Sequence, residues 1–282
     1  MEQDNRSIRL PVFQVDAFTS SPFSGNPAAV CILDEFPPEE TMGKIAMEMN
    51  LSETAFVSPL MDRRAGGRGS FRIRWFTPAV EVPLCGHATL AAAHVIFTEM
   101  GYEPGRITFE SASGQLAADF DGNGVTLDFP LNEPEPVGIP LDVLSALGIE
   151  KVEEAQISRN AEMLLLRVDN EDTVRTLQPD FQAMLRADRE GENYQGVIVT
   201  SPSETFDFIS RYFGPWEGLN EDPVTGSAHT VLAPYWSRKI RKNRFKAFQA
   251  SRRGGYLEVS LSKGRVFIKG EARTVLTGEL LI

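Results

Sequence analysis

The sequence predicts an α+β fold made of two similar halves, each a sheet around an interior helix. One observation is a loop that occurs twice, at residues 81–89 and 221–229, each time after a Phe-x-Pro triplet. A second is the run 88–97, which is apolar nearly all round and therefore predicts a helix enclosed by other structure. The third is the series of short alternating segments between glycine turns, which predicts strands and hairpins.

Three pairs of glycines support a duplication. The separation is 140 residues for Gly86 and Gly226, 141 for Gly114 and Gly255, and 140 for Gly124 and Gly264. Glycines that keep one separation while their neighbours change indicate one ancestral unit used twice. The proline-rich stretch 132–140 is the predicted linker, so the predicted half-domains are 1–133 and 134–282. The first can also include about the last eight residues of the chain.

The first half follows from alternation, apolar runs and turn residues. A helix from Pro37 to Asn50 is indicated by proline in the first turn, acids near the positive end and one apolar face. The turn 23–27 separates the first two strands. The basic run 62–69 is predicted to be a solvated hairpin loop. The predicted strands are 10–18, 28–33, 51–57, 72–77, 106–110, 115–120 and 125–129.

The second half repeats the pattern. A helix is predicted over 181–187, and the tail 246–282 is a run of hairpins. Pro234 lies inside the helical pattern that follows the second loop, and we expect it to kink or end that helix. The predicted strands are 155–158, 163–168, 196–200 and 206–213.

Composition narrows the class of protein. The 282 residues suggest about two domains, and 42% hydrophobic residues are enough for a substantial core. A net charge of −11 argues against a nucleic-acid partner, whose phosphates require a basic face. The N-terminus does not resemble a signal peptide, and the run 90–97 is too short to cross a bilayer. Only Cys31 and Cys85 occur, which fits a reducing, cytoplasmic location.

The doubled loop is the predicted functional feature. A glycine directly before a helix lets a ligand approach the backbone, and the first N–H groups of the helix are unpaired and partly positive. Two such helix starts, at Gly86 and Gly226, could together hold a carboxylate. The alternative is structural: Ser227 and Asp222 would cap a helix, and Gly86 would end a turn.

Three side chains near these loops are candidates for chemistry. Glu53 lies in a stretch otherwise fit for burial, and burial raises the pKa of a carboxyl group toward the range of a general acid/base. The alternative is a surface glutamate on an edge strand. His87 lies at a helix start, where the dipole favours the neutral imidazole. Asp222 could anchor a substrate amine or hydroxyl.

The remaining candidates are weaker. His94 is expected to be a core histidine, and His229 at most supports other site residues. The histidines and cysteines show no metal-ligand spacing, so no metal is predicted. The sequence also contains no phosphate-binding glycine loop and no dinucleotide fingerprint, so no cofactor is predicted.

Six motifs resemble the phenazine-biosynthesis isomerase family. They are DAFT at 16–19, FSGNPAAV at 23–30, MNLSETAF at 49–56, RWFTP at 74–78, EVPLCGHAT at 81–89 and EDPVTGSAH at 221–229. They run from the first predicted strand to the last quarter of the chain. The region from about 134 to 195 matches little.

The resemblance implies a diaminopimelate-epimerase-like fold, with two pseudo-symmetric halves, each a curved, mostly antiparallel sheet around a central helix, and a site in the cleft between them. It also implies a cofactor-independent isomerase, often a homodimer. In the phenazine enzyme a glutamate moves a proton between carbons of a dihydro-hydroxyanthranilate. Glu53 matches that glutamate. The resemblance implies supporting or substrate-binding roles for His87, Asp222, Ser227, Gly86, Gly226 and Ser52.

The sequence departs from related epimerases and racemases that use two cysteines. Cys85 occupies the first position, but Thr225 fills the second, and its hydroxyl is too weak an acid to replace a thiolate. The hypothesis is therefore a single-glutamate, proton-transfer isomerase of a small carboxylated metabolite. Two alternatives are kept: a racemase or epimerase that uses Cys85 as one base, and a non-catalytic protein-binding descendant of the fold.

Overall fold

The computed structural model describes residues 9–60, 69–189 and 191–282. The predicted loop over the basic run lies outside these ranges except for Gly69. Strands and α-helices both occur throughout the described residues, and the predicted α+β class is confirmed. The chain forms two compact units. The first comprises Met1–Leu127 and Gly270–Ile282, and the second comprises Asp128–Lys269. The half-domain boundary at residues 133 and 134 stays a prediction.

Among the described residues of the first unit, the strands form a sheet in the order β18-β1-β2-β3-β4-β6-β7-β8, with the short β5 beside β4. The pairs β2–β3 and β4–β6 are parallel, and the other neighbours are antiparallel. The strands are β1 Arg9–Ala17, β2 Asn26–Ile32, β3 Glu53–Pro59, β4 Ser70–Phe76, β5 Glu81–Val82, β6 Gly105–Ser111, β7 Gly114–Phe120, β8 Val125–Pro130 and β18 Ala272–Leu281. The helices are α1 Glu39–Met49 and α2 Gly86–His94, which continues as a π-helical turn, Val95–Glu99.

The second unit contains β9 to β17 and four helices. Its sheet runs β9-β10-β11-β12-β13-β15-β16-β17, with β14 beside β13. The pairs β11–β12 and β13–β15 are parallel. The strands are β9 Glu135–Pro136, β10 Glu154–Ser158, β11 Met163–Arg167, β12 Gly196–Ser201, β13 Phe208–Gly214, β14 Leu219–Asp222, β15 Arg244–Gln249, β16 Gly255–Ser262 and β17 Arg265–Gly270. The helices are α3 Leu141–Leu147, α4 Glu171–Thr176, α5 Phe181–Arg186 and α6 Gly226–Ile240, and Pro215–Glu217 forms a 3-10 turn.

The two sheets repeat one pattern of pairing. In each, a parallel pair is followed by an antiparallel hairpin, a second parallel pair and a three-stranded meander. Gly86 and Gly226 each open the helix between the second parallel pair. The repeated topology supports the duplication predicted from the glycine separations.

The two helices that follow the doubled loops are interior, as predicted. In α2 every residue from His87 to Ala93 is buried. In α6 the buried residues include Tyr235 and Trp236, and the Trp236 indole N–H donates to Thr200 Oγ1 at 3.1 Å. A helix that is apolar nearly all round needs such surroundings, because it has no face suited to water.

Pro234 does not end its helix, because α6 continues to Ile240, and that branch of the prediction is wrong; the other branch, a kink at Pro234, stays a prediction. Proline has no N–H to donate to the carbonyl of Thr230, four residues earlier. The backbone N–H of Asn132 donates to that carbonyl instead, at 3.3 Å, and the Asn132 side-chain amide donates to Thr230 Oγ1 at 2.8 Å. A partner from outside the helix therefore replaces the missing hydrogen bond.

Among the described residues, no helix combines the length and apolar character needed to span a membrane.

Substitution of Gly25 tests the packing of the turn between β1 and β2. Its φ is +65°, and a Cβ at this position would lie 2.1 Å from the carbonyl oxygen of Ala17. Gly264 has a similar φ of +73°, but a Cβ there would have no neighbouring atom within 4 Å. We expect Gly264→Ala to lower the free energy of unfolding by about 1–2 kcal/mol, the cost of a left-handed alanine. Gly25→Ala should cost a further 1–3 kcal/mol, roughly, for the overlap.

Urea unfolding of both variants beside the wild type measures the difference. Equal losses in the two variants would show that the turn relaxes without cost and contradict the described packing.

Candidate active site

Glu53 is the first residue of β3, where the parallel register places it opposite Ala28 of β2. Strands on both sides flank β3, so the alternative of a surface glutamate on an edge strand is wrong. Its side chain is 19% exposed. Burial raises the pKa of the Glu53 carboxyl above its usual value, and hydrogen bonds from Ser52 and Cys85 oppose this rise. The group therefore holds a proton more readily than an exposed glutamate does.

His87, the second residue of α2, contacts the Glu53 carboxylate. Its Nε2 lies 3.2 Å from Glu53 Oε2 and 3.3 Å from Ser52 Oγ, and its Nδ1 lies 3.5 Å from Cys85 Sγ. The two groups lie within ion-pair distance, but Glu53 Oε2 is buried and makes no hydrogen bond among the described residues. The structure thus brings together Ser52, Glu53 and His87, three residues that the sequence singled out.

The start of α2 holds the first predicted glycine. Cys85 is the N-cap residue and makes no side-chain cap hydrogen bond, and Gly86 is the first helical residue. Thr89 donates its hydroxyl and its N–H to the Cys85 carbonyl. The positive end of α2 therefore lies directly beside His87 and its carboxylate partner.

Asn26 completes this cluster and was not singled out as a site residue by the sequence. It is fully buried at the start of β2, and its Oδ1 lies 3.5 Å from Ser52 Oγ. Ser52 Oγ also approaches the carbonyl of Pro27 at 3.4 Å. A fully buried asparagine in the motif 23–30 is a signal of a polar site, because an amide is costly to bury without partners.

In the second unit, Asp222 is the last residue of β14 and is buried. Its Oδ2 accepts a hydrogen bond from Thr225 Oγ1 at 2.5 Å. The Gln249 side chain stabilises the same loop. Its oxygen accepts a hydrogen bond from the Thr225 N–H and its amide nitrogen donates one to the Asp222 carbonyl, both at 2.8 Å. Gln249 was missed by the sequence analysis, since nothing in its local pattern separates it from other strand residues.

Gly226 and Ser227 are the first two residues of α6. Thr225 is the N-cap residue and makes no side-chain cap hydrogen bond, so Ser227 does not act as the N-cap that the structural alternative assigned to it. Ser227 is exposed, and its carbonyl accepts a hydrogen bond from Thr230 Oγ1 at 2.6 Å.

The second unit has a glycine where the first has Glu53. The parallel register of β11 and β12 places Gly196 opposite Met163, as β2 and β3 place Glu53 opposite Ala28. A Cβ on Gly196 would lie 2.0 Å from the hydroxyl of Tyr212, which donates to Glu217 Oε2 at 2.9 Å. The Tyr212 side chain thus occupies the space into which a side chain at position 196 would extend. The position equivalent to Glu53 therefore carries no acidic group in the second unit.

The other two histidines differ in their surroundings. His229 is fully buried and donates Nδ1–H to the Thr225 carbonyl at 2.9 Å, while its Nε2 has no partner. Burial lowers the pKa of His229 to about 4, and the Thr225 hydrogen bond opposes this shift. His94 is only half-buried, and its Nε2 lies 3.2 Å from Thr274 Oγ1. The prediction of a packed core histidine is therefore met only in part.

One group of residues has the donor set of a metal site. Glu53, Cys85 and His87 each offer one ligand atom, and these atoms lie within 4.8 Å of one another. The expectation of no metal rested on spacing along the chain, which does not reveal a set completed by a residue more than thirty positions away.

Comparison with known proteins identifies the family. The family described as Phenazine biosynthesis-like protein matches residues 15–278. The chain belongs to this family. An uncharacterized isomerase of Pseudomonas aeruginosa is 46% identical over 97% of this chain and 99% of its own length. The phenazine biosynthesis-like domain-containing protein of Homo sapiens is 43% identical, with the same two coverages.

Solved structures agree with the fold implied by the resemblance. A phenazine biosynthesis protein of the PhzF family from Enterococcus faecalis has a TM-score of 0.90 and 40% identity, covering 98% of this chain and all of that one. A hydroxyproline epimerase from Agrobacterium vitis has a TM-score of 0.60 at 12% identity, covering 100% of this chain and 94% of that one. The second likeness concerns the fold alone, and it confirms the diaminopimelate-epimerase-like fold.

His229 provides a test of the loop that begins α6. Below its ordinary pKa of 6.5 the unfolded chain binds a proton at this residue, whereas the folded chain does so only near pH 4. The contribution of His229 to stability is therefore complete above pH 6.5 and is lost as the pH falls toward 4, by up to about 3 kcal/mol.

Urea unfolding at about pH 7 and about pH 5 measures this loss. In His229→Gln, which does not titrate in this range, the difference between the two pH values should shrink. An unchanged difference would mean that other groups cause it.

Proposed function

We propose that this protein is a cofactor-independent isomerase that moves a proton within a small carboxylated metabolite. The observation that carries the proposal is the Glu53 carboxyl, whose pKa burial raises and whose oxygen lies 3.2 Å from His87 Nε2. A carboxyl group whose pKa is raised by burial holds a proton more readily than an exposed glutamate, which suits a group that takes a proton and returns it. The names of the relatives, several of which are called isomerases, support the same class of reaction.

In the proposed reaction Glu53, as the carboxylate, takes a proton from a carbon that the substrate activates. The electron pair of the broken C–H bond spreads over the adjacent unsaturated system. The protonated Glu53 then returns its proton to another carbon of that system. No electron is gained or lost and no group is transferred, so the step balances without an added reactant.

The neighbours of Glu53 have proposed supporting roles. His87 Nε2, 3.2 Å from Glu53 Oε2, faces the carboxylate before it takes the proton and after it returns the proton, and Ser52 Oγ lies 3.3 Å from the same nitrogen. The N–H groups at Gly86 and the start of α2 carry partial positive charge, and we propose that they bind the carboxylate of the substrate. The charge that develops during the transfer would then face fixed donors rather than water.

One base is favoured over two. The Thr225 hydroxyl at the second cysteine position donates to Asp222 and is not a free nucleophile or base. Gly196 replaces the acid at the position equivalent to Glu53. These two features support proton transfer by one side chain and speak against a racemase that requires two thiols.

The predicted roles of Asp222, Gly226 and Ser227 stay predictions. Hydrogen bonds from Thr225 and Gln249 fix the loop that carries the Asp222 carboxylate. A carboxylate held in this way is suited to anchor a substrate amine or hydroxyl. The first N–H groups of α6 suit a carboxylate. As a proposed anchor, Asp222 contributes to substrate binding rather than to the proton transfer, so Asp222→Asn should raise KM more than it lowers kcat.

The experiment incubates the protein in deuterated water with a panel of cyclic and unsaturated amino-acid-like carboxylates. The wild type should incorporate solvent deuterium into at least one of them, as detected by mass spectrometry. Glu53→Gln should lose this exchange by about 10²-fold or more, because the acid/base is gone. Glu48→Gln, which changes an exposed glutamate of α1, is the matched control and should keep it. Full exchange in Glu53→Gln would remove Glu53 from the mechanism.

The effect of replacing Cys85 distinguishes this proposal from the two alternatives. A one-glutamate mechanism predicts that Cys85→Ser keeps most of the exchange, since serine can still hydrogen-bond to the carboxylate. A two-base racemase predicts that this variant is as inactive as Glu53→Gln. A non-catalytic binding protein predicts no exchange with any carboxylate in the panel, and no effect of either substitution on thermal stability in the presence of ligands.

A further inference from the structure

The Cys85–His87–Glu53 cluster has a second chemical capacity that proton transfer does not use. His87 Nε2 faces the Glu53 carboxylate at 3.2 Å, and His87 Nδ1 faces the Cys85 sulfur at 3.5 Å. When Nε2 carries the proton, the lone pair of Nδ1 is directed toward the thiol. The imidazole thus lies within 3.5 Å of both a carboxylate oxygen and a sulfur.

The Cys85 sulfur and the His87 ring nitrogen that faces it have the spacing of two ligands of one metal ion. In a tetrahedral zinc site, Zn–S bonds of about 2.3 Å and Zn–N bonds of about 2.0 Å separate sulfur and nitrogen by roughly 3.5 Å. The 3.5 Å between Cys85 Sγ and His87 Nδ1 matches that separation without rearrangement.

The donors select the class of ion. A thiolate, an imidazole and a carboxylate within 4.8 Å of one another suit zinc, whereas magnesium and calcium prefer oxygen ligands alone. Cys85 and His87 are nearly buried, and the 19% exposure of the Glu53 side chain gives an ion access. Three protein ligands leave one position for water or for a substrate oxygen.

We propose that Cys85, His87 and Glu53 form a zinc-binding site that occupies the acid/base of the enzyme. On binding, the Cys85 thiol loses its proton to solvent and its sulfur bonds to the ion. Glu53, engaged by the ion, no longer takes a proton from carbon. This consequence rests on the proposed function: zinc would then inhibit the isomerase reversibly, and a chelator would restore it.

The test uses cobalt(II) as a spectroscopic substitute for zinc, on the reduced full-length chain after treatment with a chelator. Wild type should develop an intense sulfur-to-cobalt charge-transfer band that saturates at one equivalent, and added Zn²⁺ should abolish the band. Cys85→Ser should show no band. Glu53→Gln should weaken the cobalt affinity by at least about 10-fold.

Cys31 supplies the matched control. It is fully buried, and burial raises the pKa of its thiol to about 12, so it is a poor metal ligand. Cys31→Ala should keep the full band. A circular dichroism melting curve for each variant shows that a lost band does not come from unfolding.

The proposal is overturned if the wild type gives no band at stoichiometric cobalt, if the band persists in Cys85→Ser, or if it disappears in a folded Cys31→Ala. Because the band reports thiolate coordination and not turnover, it separates this proposal from the isomerase proposal. Cobalt binding without deuterium exchange would support the metal site alone, and exchange without cobalt binding would support the isomerase alone.

Discussion

The proposed proton transfer depends on one carboxyl group, that of Glu53, which the fold largely removes from water. Water stabilises an ionised glutamate, so burial between β2 and β4 favours the protonated form of Glu53. Hydrogen bonds from Ser52 and Cys85 act in the opposite direction, and burial is the larger effect. A carboxyl group balanced in this way costs stability when it ionises, and such costs are common where a side chain serves a reaction rather than the fold.

The two units share a backbone pattern but differ in the side chains at equivalent positions. Both units keep the glycine that opens an interior helix, and both keep the same succession of parallel and antiparallel pairs. At the position of Glu53, however, the second unit has Gly196, and the Tyr212 hydroxyl takes up the space of a side chain. Tyr212 is locked to Glu217, so the second unit cannot regain an acid there by a single substitution.

The same divergence explains the two loops. Where the first unit has a thiol at Cys85 facing an imidazole, the second has Thr225, whose hydroxyl serves the Asp222 carboxylate. The repeated backbone therefore brings Glu53, Cys85 and His87 together in one unit and carries a hydrogen-bonded carboxylate loop in the other. The two units thus share the helix starts and differ in the side chains around them.

The features that could be predicted from the sequence are those that depend on residues close together in the chain. The α2 helix was predictable because its apolar character extends all round, and most strands were predictable because their alternation is regular. The helices α3 and α4 were missed, since six or seven residues give too few turns for a periodic signal.

The features that could not be predicted depend on contacts between residues far apart in the chain. The continuation of α6 through Pro234 depends on the N–H of Asn132, about a hundred residues earlier. The proximity of Glu53 to Cys85 and His87 depends on the antiparallel pairing of β3 with β4, which places the start of β3 beside the end of the strand that leads to α2. Neither partner leaves a trace in the local pattern, although the resemblance to the phenazine family did name Glu53 and His87.

Burial should make Glu53 a stronger base than an ordinary glutamate, and a direct titration tests this most directly. Difference spectra of the carboxyl stretch, wild type minus Glu53→Gln, would follow the ionisation of this one group with pH. We predict a midpoint clearly above the ordinary value of 4.5. A midpoint at or below 4.5 would show that hydrogen bonding outweighs burial, and Glu53 could not then act as the proposed acid/base.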